Sequence, residues 1–297
     1  YRGAQGLAAD VEYYGRRLKS LAFDKIGELY PKINREDGEK AIVIAWLWAR
    51  TVRCSNPACT KVMPLAHSFL LSKKHAIFVY PAYEDNQLVF YIGRQFDNIP
   101  EGTIKRGKAI CPFCGAYVQP DYIKAEATAG RIGAKMMAVV SEDKNKRHYS
   151  EVHNGAICLT LSVDKLSDFV ADIKLPDNYP NAEMPINPRW FGPPDYGMPN
   201  FADLFTPRQL TMLTTFSDLI GAVRDEVIAD CGDKDYADAV ATYLAFLVDK
   251  LADRNSIVCS WDSGIKYETI RNTFGRQAIP MTWDYAEGNP FSNSSGC

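Results

Sequence analysis

The amino-acid sequence predicts an α+β fold: a β-rich insert flanked by helices, followed by a C-terminal helical hairpin. Three observations carry this. Apolar residues recur at helical spacing near both ends of the chain. Short β-branched and aromatic runs, divided by turn formers, fill the region between 65 and 92. Two close cysteine pairs bracket that region.

The first helix is expected over Ala4 to Tyr30, where Val11, Tyr14, Leu18, Leu21, Ile26 and Leu29 follow an approximate 3.6-residue period and Pro31 ends it. A polar connector, Asn34 to Gly38, follows. Strands are expected at Leu65–Leu71, Ala76–Tyr80 and Leu88–Ile92, with Glu84-Asp85-Asn86 as a turn. Met136 to Val140 reads as a buried strand before the hydrophilic loop Glu142 to Arg147. The Pro-rich stretch Leu175 to Pro199 is a linker or a packed surface loop. After it, Thr206 as N-cap, Pro207 at N1 and Gln209 at N3 spell a capping box, with Phe205 and Leu210 placed as a hydrophobic staple. That helix runs to about Ala229 and stops at Cys231-Gly232. A second, Asp235 to about Ala252, repeats Leu244, Leu247, Val248 and Leu251 at helical spacing, which completes an αα-hairpin. The aromatic residues of the final segment, Trp261 and Trp283 among them, fit core packing better than a ligand site. Four regions result: 1–40, helix and connector; 41–174, β-rich and basic; 175–200, linker; 201–297, helical.

Composition excludes several classes. The 297 residues are 46% hydrophobic and 24% charged, which rules out wholesale disorder. The longest uncharged apolar run, Ala41 to Ala49, is far short of the roughly 20 residues of a membrane span. No basic-then-apolar signal segment opens the chain, so a cytoplasmic location is expected. The chain opens at Tyr1 without Met and closes on Gly296-Cys297 after a Ser/Asn-rich stretch, which reads as an excerpt of a longer polypeptide. Charge is segregated: residues 50–147 carry 15 Lys and Arg against 8 Asp and Glu, whereas the remainder carries 19 against 28. Clustered cations attract phosphate regardless of sequence, and a solvated face with a chance imbalance is the alternative.

Four of the eight cysteines form the pairs Cys54-Ser-Asn-Pro-Ala-Cys59 and Cys111-Pro-Phe-Cys114-Gly115. Two tight turns that each present two thiolates supply the four soft ligands of tetrahedral zinc. Gly115 stands where a positive φ turns amides toward sulfur. The picture is a zinc-ribbon-like β insert pinned at both ends by one metal. The alternatives are four buried structural thiols or a redox dithiol at Cys111/Cys114, which leaves the other pair unexplained; His67 and His75 are surplus to a complete ligand set. Four thiolates close the coordination shell, so the metal is structural rather than catalytic. Basic residues surround the second pair. Lys105, Arg106 and Lys108 lead into it, Lys73 and Lys74 lie in the insert, and Arg131 and Lys135 follow; Phe113, Tyr117 and Tyr122 interleave them. Cations beside aromatic platforms suit nucleic acid, and a hairpin with solvated Lys and packed Tyr is the alternative.

No Gly-x-Gly-x-x-Gly, P-loop, His-Glu-x-x-His or Gly-x-Ser-x-Gly is present. Asn289-Pro290-Phe291-Ser292 is close to the (Asp/Asn)-Pro-Pro-(Tyr/Phe) motif of amino-methyltransferases but lacks the second Pro, and it is not assigned a catalytic role.

Several stretches together resemble the adenine-specific DNA methylases that contain a zinc ribbon. They are Gly3-Ala-Gln-Gly-Leu-Ala-Ala-Asp-Val-Glu-Tyr-Tyr-Gly15, Trp48-Ala-Arg-Thr-Val-Arg-Cys54 through Cys59 and Pro64-Leu65, and Cys111-Pro-Phe-Cys-Gly115. Asn200-Phe-Ala-Asp-Leu-Phe-Thr-Pro-Arg-Gln-Leu210, Tyr236-Ala-Asp-Ala-Val-Ala-Thr-Tyr-Leu-Ala245 and Arg271-Asn-Thr-Phe-Gly-Arg-Gln-Ala-Ile-Pro280 through Ser295-Gly296 continue the series. The resemblance implies a class I methyltransferase using S-adenosylmethionine, of which this chain is a middle segment. The family's Gly-rich cofactor motif and Asp-Pro-Pro-Tyr motif are both missing, so no catalytic residue carries over. It further implies that the basic zinc-bearing part holds DNA and that the C-terminal hairpin packs on a Rossmann-like methyltransferase domain. The competing expectation is a non-catalytic zinc-ribbon scaffold for nucleic acid or for protein partners in a defence or modification operon.

Overall fold

Strand β2 (Lys40–Arg53) organises the molecule. The computed structural model describes residues 3–34, 40–95, 99–105, 108–143, 146–152, 173–187, 189 and 191–294. Most of the connector expected at 34–38 lies outside them, as do Arg106, Cys158, Trp190 and Cys297. Eleven of the fourteen residues of β2 are buried, ten of them in one unbroken run from Val43 to Val52, so its sequence lacks the apolar–polar alternation of a half-exposed strand. The apolar run Ala41 to Ala49 is therefore the central strand of a sheet.

Along one edge, β2 pairs antiparallel with β10 (Gly133–Asp143), which pairs in turn with β11 (Lys146–Ser150). Along the other edge lie, end to end, β14 (Asp284–Gly288) opposite Ala45–Ala49 and β3 (Val62–Leu65) opposite Arg50–Arg53. The short β1 (Ile33–Asn34) pairs at the start of β2. The β2–β10 register slips at Ile44 and again at Met137, one extra residue on each strand. A bulge puts two successive side chains on one face. Ile44 and Ala45 accordingly both join the core beneath the sheet, as do Met137 and Ala138, while Val43, Trp46, Met136 and Val139 face the opposite core.

That opposite core is helical. Helix α1 (Gly3–Ile26) packs Tyr14, Leu18, Ala22 and Ile26 inward, against α3 (Pro207–Cys231) and α4 (Lys234–Arg254). The capping box at Thr206 and Gln209 forms as expected, and Gly232, at φ +71°, ends α3 in the left-handed conformation. The hairpin of α3 and α4 is present, with Ala237, Val240 and Leu244 buried. Helix α1 stops four residues before Tyr30 and tightens into a 3₁₀ turn, Gly27–Leu29.

The face below the sheet is covered by a three-stranded sheet, β4 (Leu70–Ser72), β5 (Ile77–Glu84) and β6 (Gln87–Gly93), whose Leu71, Val79 and Phe90 meet Leu47 and Val140. A second such sheet, β7 (Ile104–Lys105), β8 (Lys108–Ile110) and β9 (Tyr117–Val118), stands beside it, followed by α2 (Pro120–Thr128). The Pro-rich stretch is packed: Glu183 bridges to Asn200, Met184 is buried, and Phe191 bridges to Ile279. The small hairpin of β12 (Trp261–Asp262) and β13 (Thr269–Ile270) docks through the Trp261 indole N–H on Leu71 O. Trp283 is buried and Trp261 half-buried, both within packed surroundings, as the aromatic pattern suggests. Among the described residues, no helix is long and apolar enough to cross a membrane.

Five phenols among the described residues are held above the ordinary tyrosine pKa of about 10, each first by burial: Tyr14, beside Asp230; Tyr122; Tyr149, near Glu268; Tyr196; and Tyr285, whose rise Arg50 partly offsets. Because folding raises these pKa values, the stability they contribute is complete below about pH 10 and is lost as pH climbs toward the folded values. Alkaline titration followed by tyrosinate absorbance and circular dichroism should show a set of tyrosines ionising only as the fold is lost. Reversible ionisation of all sixteen near pH 10, with structure intact, would contradict this.

Candidate metal centre

The two cysteine pairs meet. The sulfurs of Cys54, Cys59, Cys111 and Cys114 all lie within 4.8 Å of one another. Cys54 Sγ stands 3.8 Å from Cys114 Sγ, and Cys59 Sγ 4.0 Å from Cys111 Sγ. Four sulfurs at about 2.3 Å from a tetrahedral zinc ion are ~3.8 Å apart, so the donor set and its spacing fit a single metal ion. Neither His67 nor His75 belongs to the cluster; His67 is exposed beside Asp284.

The two turns are built alike. Cys54 N–H donates to Lys61 O at 2.8 Å, and Cys111 N–H to Ala116 O at 2.9 Å, each bond closing its loop. Each second cysteine is followed by a residue of positive φ: Gly115 at +71° and Thr60 at +51°. The turn before them is also repeated, since Gly115 N–H donates to Cys111 O and Thr60 N–H to Asn56 O. Asn56 thus stands where Cys111 stands in the other turn, and Cys54 supplies its ligand from two residues earlier. The Asn56 side chain imitates a knuckle sulfur: Oδ1 accepts from Ala58 N–H at 3.0 Å, as Cys111 Sγ accepts from Phe113 N–H. Its Nδ2 points at Cys114 Sγ from 3.8 Å. This accounts for the four-residue spacing of the first pair.

Amides aimed at sulfur favour thiolate, and burial opposes it. Burial dominates at Cys54, whose thiol is pushed up to about 12, and also raises Cys111. At exposed Cys114 the N–H of Ala116 prevails and holds the thiol down to about 7. A buried thiolate cluster needs a compensating cation, which a bound metal supplies.

A small core lies beneath the cluster, formed by Val52, Met63, Leu65, Ile104, Val118 and Ile123 and closed by Trp283 from the C-terminal segment. Phe113, inside the second pair, meets Tyr83 edge-on at 5.3 Å, and Lys61 Nζ sits 4.8 Å over the Tyr83 ring. The cluster is thereby tied to the β5–β6 hairpin. No sequence pattern marks Asn56, Tyr83 or Trp283 for these roles, because each acts through a contact remote in the chain or through a turn of unusual length.

The candidate cations divide. Lys105 and Lys108 face each other across β7 and β8, next to the second cysteine pair. Lys105 pairs with Glu101 at 2.6 Å, and Arg131 makes a two-pronged pair with Glu126. Lys73 and Lys74 are exposed in the β4–β5 turn, where Lys73 N–H meets Ser263 O. Lys135 is half-buried on β10, opposite Ala49. The Asn289 side chain latches the chain onto β2, since Nδ2 donates to Val43 O at 2.8 Å and Oδ1 accepts from Phe291 N–H.

Compared with known proteins, the chain matches no family model, no curated protein and no solved structure.

Proposed function

We propose that this chain is the metal-pinned, DNA-facing segment of an adenine-specific DNA methylase. In this reading the four cysteines hold structural zinc, and the lobe they close is zinc-ribbon-like. The observation that carries the binding part is the surface of that lobe. Lys105, Lys108, Ile110 and Tyr117 point outward from β7–β9, while Ile104, Ala109 and Val118 fill the core beneath. Exposed cations beside an exposed aromatic ring are the equipment for phosphate and base. The methylase part rests on the sequence resemblance alone. S-adenosylmethionine would supply the methyl group elsewhere in the full-length protein, and we assign no residue of this chain to it. The outer face of α4, with Tyr243 and Phe246 exposed, supports docking of this hairpin on a Rossmann-like catalytic domain.

The same apolar face supports a second reading, a scaffold for protein partners. DNA binding separates the two. Neutralising Lys105, Arg106 and Lys108 together should lower DNA affinity by tenfold or more and flatten its salt dependence by up to about three phosphate contacts, with metal content unchanged. A wild-type, metal-loaded protein without salt-dependent DNA binding would leave the scaffold reading standing.

A further inference from the structure

We infer that the cleft at the foot of β7–β9 holds one unpaired nucleotide, its base stacked on Tyr117 and its phosphate at Lys108. The inference rests on the DNA-facing reading above and narrows it to an unpaired strand. Between Glu101, Lys105, Lys108, Ile110, Pro112 and Tyr117 lies a cleft of about 280 Å³. That is slightly below the usual size of a drug-binding pocket and suits a single planar ring.

The lining divides into two chemistries. Ile110 and Tyr117 are cross-strand partners, and both are exposed, at 51% and 40%. Folding does not require an apolar pair on this outward face, since the inward face already fills the small core. Lys105 and Lys108 form the next cross-strand pair, and strand alternation brings Lys108 to the same face as Ile110. Lys108 Nζ sits 5.8 Å from the Tyr117 ring and has no carboxylate partner among the described residues. Lys105 is held by Glu101, which leaves Lys108, among the described residues lining the cleft, as the cation facing a phosphate. In a duplex the bases present only their edges, so an aromatic floor beside one lysine selects an unstacked base.

The test is equilibrium binding of the metal-loaded protein to a fluorescent oligo-dT strand, to a duplex of the same length, and to a fully abasic strand. Tyr117→Ala should weaken oligo-dT binding about tenfold, within the range of stacking contributions per base, and leave duplex binding unchanged. Tyr117→Phe should bind as wild type does. The abasic strand, which needs no variant, should bind wild type at least tenfold more weakly than oligo-dT. Equal affinity for abasic and oligo-dT strands would overturn the inference, as would an unaffected Tyr117→Ala protein. In both cases salt-dependent binding by wild type would keep the DNA-facing reading intact. Absence of salt-dependent binding to all three probes would end both.

Discussion

Cys111→Ser is expected to release the metal and unfold the lobe made of the two cysteine turns and β7–β9, while the α1–α3–α4 core stays folded. Cys111 is buried, its N–H closes a turn, and its sulfur is 4.0 Å from that of Cys59. Structural zinc contributes about 10–16 kcal/mol to folding in small zinc domains near neutral pH, so losing one ligand should remove several kcal/mol from this lobe. The lobe has only a small core of its own to set against that loss. Elemental analysis should show less than one equivalent of metal, limited proteolysis should cut within the cysteine turns or β7–β9, and thermal melting should split into two steps. Acid should act in the same direction as the substitution. Ligand thiols must be deprotonated to bind, and burial raises Cys54 and Cys111, so metal retention should fall as pH falls. Full metal content and unchanged stability in Cys111→Ser would remove the four-cysteine site from consideration.

The four-cysteine cluster was legible in the sequence because each cysteine pair is a local turn with its own signature. Gly115 marks the second turn, whereas in the first a strained Thr60 and a substitute Asn56 hide the same design. The helices were legible for a similar reason: the capping box at Thr206 and the stripes of α1 and α4 are local patterns. The central strand was not. Buried on both faces and bulged at Ile44, β2 has no period to read, so Ala41–Ala49 registers only as an apolar run. Its partner β14 was hidden as well, because pairing across more than 200 residues leaves no trace in local spacing. The same limit applies to the cations. Lys73 and Lys105 both fall between the cysteine pairs, but one lies in the β4–β5 turn and the other on β7.

Glu287→Gln is expected to destabilise the whole sheet by about 3–5 kcal/mol, the usual cost of leaving one partner of a buried ion pair uncompensated. Glu287 lies on β14 and Arg208 in the first turn of α3; both are fully buried, and Arg208 Nε donates to Glu287 Oε1 at 2.8 Å. Arg208 also donates from Nη1 to Leu29 O and lies 4.2 Å over the Trp46 ring, so it gathers the end of α1, β2 and β14 at one point. The pair is not fully satisfied, since Arg208 Nη2 and Glu287 Oε2 have no protein hydrogen-bond partner. The ion pair therefore rests on the Nε–Oε1 contact, with Thr206 Oγ1 also donating to Oε1 at 3.3 Å, and Gln would keep these bonds in shape but not in charge. Removing both charges together, as Arg208→Met with Glu287→Met, should cost less than Glu287→Gln alone, because no isolated ion then remains in the core. Denaturant unfolding of both variants decides this. A Glu287→Gln protein within about 1 kcal/mol of wild type would mean that the guanidinium finds compensation elsewhere. Because β14 and β3 lie end to end on β2, the same substitution should also loosen the β3 end and slow metal uptake, with every cysteine intact.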